Sequence, residues 1–108
     1  MFDINGECWK VFLVSPEHQE LMRSDGTYTI GSCNDYKKAI FINNSLNNHY
    51  MKKVLCHELT HAAMFSYNIE LSLQQEELLA DLIATYGQEI MNITNILFKR
   101  IKENRETF

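Results

Sequence analysis

The chain has 108 residues, of which 45% are hydrophobic and 22% are charged, so it is long enough for one modest core and too short for two. Its formal net charge is −4, and a protein without excess positive charge lacks the field that holds nucleic-acid phosphates. We therefore predict a single domain over residues 1–108 that does not bind nucleic acid.

The N-terminal residues and the cysteines indicate the cellular compartment of the protein. Residues 1–6 lack a basic stretch followed by an apolar core, and no window of the chain reaches the ~18 apolar residues of a membrane span. Cys8, Cys33 and Cys56 form an odd set without a secretory signal, which favours free thiols over disulfides. We expect a cytoplasmic protein that does not bind membranes.

The first half of the chain has mainly strand character. Residues 9–14 are aromatic and β-branched and predict a first strand. Pro16 lies in a helix-start pattern that predicts a short helix over residues 15–23. Residues 27–33 and 39–42 have strand character on either side of a polar segment and predict a β-hairpin.

The second half of the chain has helical periodicity. Residues 47–67 predict one helix, and an apolar series between positions 78 and 101 predicts a long helix, or two joined near Gly87. The side chains expected to hold this second helix in the core are Leu78, Leu79, Leu82 and Ile83. Residues 102–108 are expected to form a charged, fraying end. The predicted fold class is α+β, with a small three-stranded sheet packed on the helices.

One pentapeptide in the first of these helices carries chemistry. It reads His57-Glu58-Leu59-Thr60-His61, the H-E-x-x-H pattern. At about 3.6 residues per turn both histidines lie on one face and can reach the same Zn²⁺. Glu58 lies about 100° round the helix and can reach a water molecule whose pKa the metal lowers to about 7. The pattern predicts a hydrolytic zinc site with Glu58 as general base.

A catalytic zinc usually has three protein ligands and one open position, so a further ligand is required. The metzincin pattern would place Gly at position 64 and His at position 67, but these are Met64 and Tyr67. Gluzincins instead take a Glu from the next helix, followed four residues later by an Asp. Glu77 and Asp81 have this spacing, whereas Glu76 has alanine at the matching position.

From about residue 9 to residue 101 the chain resembles small gluzincin-type metallopeptidases of the ImmA/IrrE family and short phage-encoded zincin-like proteins. The resemblance rests on residues 55–61, on the E-x-x-A-D segment at 77–81 and on the hairpin at 31–33 and 39–43. It implies a minimal zincin fold, and a phage or mobile-element origin that would place the protein in the host cytoplasm. The implied site residues are His57, His61 and Glu77 as zinc ligands, Glu58 as general base and Asp81 as the group that orients His57.

The predicted substrate is a peptide or protein, extended as an added strand along the sheet edge at Gly31, Ser32 and Cys33. Two alternatives remain open. One is a hydrolase of the peptide deformylase kind, in which Cys33 is the third metal ligand. The other is a catalytically inactive zincin-fold module that captures a partner. Replacing Cys33 by Ser should abolish metal binding in the first alternative and leave it intact if Glu77 is the third ligand. Glu58→Gln should abolish hydrolysis by an enzyme, whereas an inactive module would keep its biological effect.

Overall fold

The computed structural model describes residues 1–104, so residues 105–108 of the predicted fraying end lie outside the described part. The elements in chain order are β1 (Phe2–Ile4), β2 (Glu7–Val14), a 3₁₀ turn (Gln19–Leu21), β3 (Gly31–Asn34), β4 (Ala39–Asn43), α1 (Asn48–Ser66) and α2 (Leu73–Asn104). The α+β class is confirmed. Within residues 1–104, no helix combines the length and the apolar composition that crossing a bilayer requires.

The sheet has four strands in the order β1-β2-β4-β3, one more than the three predicted. The predicted hairpin is confirmed, because β3 and β4 pair antiparallel, whereas β2 and β4 pair parallel. The additional strand, β1, pairs antiparallel with β2 through a tight turn at Asn5 and Gly6, whose φ angles are 49° and 78°. Positive φ at both central residues suits a two-residue hairpin, and Asn-Gly is its preferred sequence.

Two predictions for residues 15–33 are wrong. Instead of a helix over residues 15–23, only the 3₁₀ turn Gln19–Leu21 forms, with the ring of His18 accepting a hydrogen bond from the Glu20 N–H at 3.1 Å. A segment this short gains too few helical hydrogen bonds to outweigh the cost of nucleation. The strand predicted from residue 27 begins only at Gly31, because Thr27 and Thr29 fold back to bond residues before the turn.

The main core lies between the sheet and α1. It consists of Trp9, Ile40, Ile42, Val54 and Ala62, all almost fully buried. The alternation of side chains along β4 directs the two isoleucines to α1 and the neighbouring residues to the opposite face of the sheet. The Trp9 indole N–H also donates a buried hydrogen bond to the hydroxyl oxygen of Ser66, the last residue of α1, at 2.8 Å. These contacts fix α1 against β3 and β4.

The helix α2 is a single helix, and it packs against α1 rather than within a core. Ala80 is fully buried at this contact, and the Lys52 ammonium reaches the Gln88 side-chain oxygen at 3.3 Å further along. The prediction that Leu78, Leu82 and Ile83 hold this helix in the core is wrong, since they are 70%, 48% and 38% exposed. Leu79 is half-buried. The reason is that α1 covers only one narrow face of α2.

Candidate metal centre

The helix α1 presents the two histidines of the H-E-x-x-H motif to one point. His57 and His61 are one turn apart, and their Nε2 atoms are 3.1 Å from each other. Asn47 caps the start of the helix, accepting a hydrogen bond from the Tyr50 N–H at 2.9 Å. Because α1 is also held against the sheet by its buried face, the two imidazoles project from a rigid element.

Glu77, on the first turns of α2, faces both histidines. Its two carboxylate oxygens lie 3.2 Å from His57 Nε2 and 3.1 Å from His61 Nε2. Among residues 1–104, these three residues are the group whose metal-ligating atoms come together. Four ligand atoms at about 2.0–2.2 Å from a tetrahedral zinc are roughly 3.3 Å apart, close to the separations found here. The donor set of two imidazoles and a carboxylate therefore fits a zinc ion with one position left open.

A second layer of carboxylates holds the two imidazoles. Asp81 Oδ1 lies 2.9 Å from His57 Nδ1, and Glu76 Oε1 lies 2.7 Å from His61 Nδ1. A carboxylate acceptor at Nδ1 favours the tautomer with its proton there, which leaves the Nε2 lone pair directed at the metal position. Asp81 was predicted next to His57, and the structure brings these two residues together.

The contact between Glu76 and His61 was not predicted from the sequence. The spacing argument tests Glu76 only as a metal ligand, and alanine four residues later excludes it from that role. In the structure it is mostly buried and bonds the second histidine, so each imidazole has its own carboxylate. A sequence signal existed, because a second acid directly before Glu77 sits about 100° round α2 and can face α1.

Glu58 lies beside the two histidines and is only 7% exposed. Burial raises the pKa of its carboxyl, and Glu77 adds to this, while His61 and His57 act in the opposite direction. A carboxyl with a raised pKa holds a proton more readily, which suits a group that must accept one and release it again. Glu58 also lines the two cavities that flank the centre, so it reaches the space where a substrate would lie.

The strand β3 forms one edge of the sheet, and within residues 1–104 it pairs with β4 alone. Gly31 lines both cavities, and Ser32 and Cys33 line the smaller one with His61, so the predicted substrate edge does border the centre. The Ser32 hydroxyl is already engaged, because it donates to the Glu20 carbonyl at 2.9 Å. The edge therefore offers backbone rather than side-chain groups.

Cys33 does not belong to the group of metal-ligating atoms found among the described residues. Burial, together with the charge of Glu58, raises the pKa of its thiol to about 12. Cys33 is a weaker candidate than Glu77, whose carboxylate oxygens lie 3.2 Å and 3.1 Å from the two imidazoles. The geometry favours a His57–His61–Glu77 centre over the deformylase-like set.

Comparison with known proteins identifies the family of the chain. A model of the Peptidase M78 family, described as the IrrE N-terminal-like domain, matches residues 14–97. The match begins at the last residue of β2 and includes the hairpin, all of α1 and most of α2, so every residue of the candidate centre lies inside it. No curated protein and no solved structure matches the chain.

Proposed function

This chain belongs to the Peptidase M78 family, and from that membership and the geometry of its centre we propose that it is a zinc-dependent metallopeptidase that hydrolyses a peptide bond. The observation that carries the proposal is the meeting of His57, His61 and Glu77 beside a buried Glu58. In this proposal the first three residues hold the zinc and the fourth is the general base.

The second layer of carboxylates supports a catalytic rather than an accidental cluster. Removing such a partner from a metal-binding histidine typically lowers metal affinity or activity by about 10- to 100-fold. Here both histidines have one, Asp81 for His57 and Glu76 for His61. Four carboxylates beside a bare pair of imidazoles would repel one another, and a divalent cation would offset that repulsion.

Each part of the site has its own role in the reaction. Bound zinc would supply Lewis acidity toward a carbonyl oxygen and would acidify a water molecule. Glu58 takes the proton from the attacking water and returns it to the leaving amine, and its raised pKa favours the first of these transfers. The free edge of β3 pairs with the substrate backbone and holds the scissile bond beside Glu58.

The test compares the zinc-loaded wild-type protein with Glu58→Gln on a complex mixture of peptides, with cleavage products identified by mass spectrometry. Glu70→Gln, an exposed glutamate between the two helices, is the matched control. We expect the Glu58 variant to keep its zinc and to lose roughly 10²- to 10⁴-fold in rate, while the control behaves as wild type. A zinc-loaded wild-type protein that cleaves no peptide would contradict the proposal and favour a binding module.

A further inference from the structure

Two cations line the larger of the two cavities beside the centre. Its volume is about 350 Å³, and Arg23 and Lys53 line it together with His57 and the carboxylates of Glu58, Glu77 and Asp81. Neither cation belongs to the proposed catalytic machinery. Their presence on one side of the centre suggests a role in choosing the substrate.

The backbone fixes where both cations stand. Lys53 precedes His57 by four residues on α1, so its side chain lies on the same face of the helix, one turn from the metal position. Arg23 belongs to the turn before β3, in which its N–H donates to the Thr27 carbonyl at 2.7 Å and its carbonyl accepts from the Gly26 N–H at 3.0 Å. One cation therefore comes from α1 and the other from the turn before β3, and both line the same cavity.

Neither cation is neutralised by a carboxylate within the described part of the chain. No ion pair within 4.0 Å involves Arg23 or Lys53 among residues 1–104. The positive charge of Arg23 contributes to lowering the pKa of Asp25, but this carboxyl is exposed and bonded mainly to a threonine. The carboxylates of the centre face the imidazoles instead. Both cations are therefore free to meet a negative group of a ligand.

The smaller cavity, on the other side of Glu58, has a different character. Its volume is about 270 Å³, and Phe65 and Leu73 line it together with the carboxylates of Glu58, Glu76 and Glu77. Of the described residues that line it, none is a lysine or an arginine. A chain lying along β3 would therefore pass from a cavity with two cations in its wall, across Glu58, to a cavity whose wall includes Phe65 and Leu73.

We propose that this protein selects peptides with a carboxylate next to the scissile bond, held by Arg23 and Lys53, and an apolar side chain on the other side of that bond. The inference rests on the proposed peptidase function. The carboxylate belongs either to an Asp or Glu side chain or to the C-terminus of the peptide, because both present the same group to the two cations. Paired cations suit a carboxylate, since a charge-assisted bond is about twice as strong as a neutral one.

The experiment maps cleavage sites in a peptide mixture for the wild type, for Lys53→Glu and for the matched control Lys52→Glu. Lys52 is the neighbouring exposed lysine, and it contacts Gln88 instead of lining the cavity. We expect wild-type sites enriched in acidic residues at one position beside the bond. Lys53→Glu should lower kcat/KM for an acidic peptide about tenfold and raise it for the lysine counterpart, and the control should change neither.

Amidated peptides distinguish the two sources of the carboxylate. Loss of cleavage on amidation assigns the C-terminus, and retained cleavage assigns a side chain. Cleavage without acidic preference, or a preference that Lys53→Glu leaves unchanged, would overturn this inference and leave the peptidase function standing. No cleavage of any peptide by the zinc-loaded wild type would overturn the proposed function and this inference together.

A second inference comes from α2, which carries an exposed apolar face. The stripe of apolar residues on this face consists of Ile83, Tyr86, Ile90, Ile93, Leu97 and Ile101. Five of these are between 38% and 54% exposed, and only Leu97 is half-buried. The centre of the stripe lies roughly 130° round the helix from Ala84 and roughly 170° from Gln88, two α1-facing residues, so α1 leaves most of the stripe uncovered.

The stripe has the pattern of a helix that pairs with another helix. Its members recur at steps of three and four residues, the spacing of a left-handed coiled-coil seam. With the flanking Leu82 and Ile96, it leaves on the order of 700 Å² of apolar side chain exposed, near the ~800 Å² that each partner gives to a standard interface. That area is larger than a stable monomer usually exposes.

We infer that the stripe packs against the same stripe of a second copy of this chain, with the two α2 helices antiparallel. The charges at its ends fit this arrangement. Glu89 flanks the stripe on the same side as Arg100, eleven residues later, so antiparallel helices bring the acid of one copy to the arginine of the other. In a parallel pair this flank of one helix would lie on the opposite side of the seam from the same flank of the other, so Glu89 would not meet Arg100.

Sedimentation equilibrium over a range of concentrations tests this pairing. We expect a mass of twice 12.7 kDa for the wild-type chain and a monomer for Ile90→Glu with Ile93→Glu. Asn95→Glu adds a charge on the opposite face of the same helix, and this control should stay dimeric. Retained zinc binding would show that the double variant is folded. A wild-type chain that is monomeric at every concentration, or a double variant that still dimerises, would overturn the inference.

Discussion

Replacing Gly31 by alanine would place a methyl group where β3 meets α1. The added carbon would lie 2.7 Å from Val54 Cγ1, 3.2 Å from Glu58 Cγ and 3.3 Å from Glu58 Oε1. The first of these distances is far inside van der Waals contact, and Val54 is only 7% exposed, so its side chain has little room to turn away. Either β3 or α1 must shift.

The magnitude follows from two opposing effects. Overpacking a filled core costs about 1–3 kcal/mol, and replacing glycine by alanine in a strand returns roughly 0.5–1 kcal/mol through the unfolded chain. We expect Gly31→Ala to lower the free energy of unfolding by about 1–2 kcal/mol. Val54→Ala alone should cost about 2 kcal/mol, from two buried carbons and the cavity they leave. In the double variant the new methyl fills that cavity, so the combined cost should be clearly less than additive.

The assay is urea denaturation of the metal-free protein, with kcat/KM of the zinc-loaded protein measured on the same variants. Because the methyl also displaces Glu58, Gly31→Ala should lower kcat/KM by about 10- to 100-fold, and Val54→Ala should partly restore it in the double variant. Additive stability changes, or a Gly31→Ala protein as stable and active as wild type, would refute this reasoning.

Three further outcomes follow from named contacts. Ser66→Ala leaves the buried tryptophan indole N–H without its acceptor at 2.8 Å and should cost about 1–3 kcal/mol in urea denaturation, whereas an unchanged midpoint would contradict that contact. Glu76→Gln removes the charged acceptor of His61 and should weaken zinc binding about 10- to 100-fold in chelator competition, while equal affinity would exclude the orienting role. In the metal-free protein at pH 8, iodoacetamide should modify the exposed Cys8 well before Cys33, whose pKa is raised to about 12, and equal rates would argue against its burial.

Local patterns predicted the elements that local interactions determine. The active-site helix was expected over residues 47–67 and forms over Asn48–Ser66, because its apolar periodicity and the capping Asn47 are both written in the sequence. The strand β1 was overlooked, although Asn5-Gly6 is a strong hairpin signal between its short strand and the next. The helix-start pattern at Pro16 predicted a helix that does not form. A favourable first turn does not stabilise a segment that is too short to add further helical hydrogen bonds.

The sequence predicted those features of the candidate centre that depend on spacing within a single helix. The four-residue spacings of His57 with His61 and of Glu77 with Asp81 place each pair on one face, and the structure brings the two pairs together. The role of Glu76 depends on how α2 crosses α1, which no periodicity reveals. The same limit explains the exposed leucines of α2: a pattern predicts an apolar stripe, but not which element will cover it.

The most direct test of the central claim is the zinc content of protein purified without chelators, comparing the wild type with Glu77→Ala and the exposed control Glu70→Ala. Elemental analysis should find about one zinc per chain in the wild type and in the control, with the metal lost or strongly weakened in Glu77→Ala. A wild-type chain that takes up no zinc even when it is supplied, or a Glu77 variant that binds it as tightly, would contradict the proposed centre.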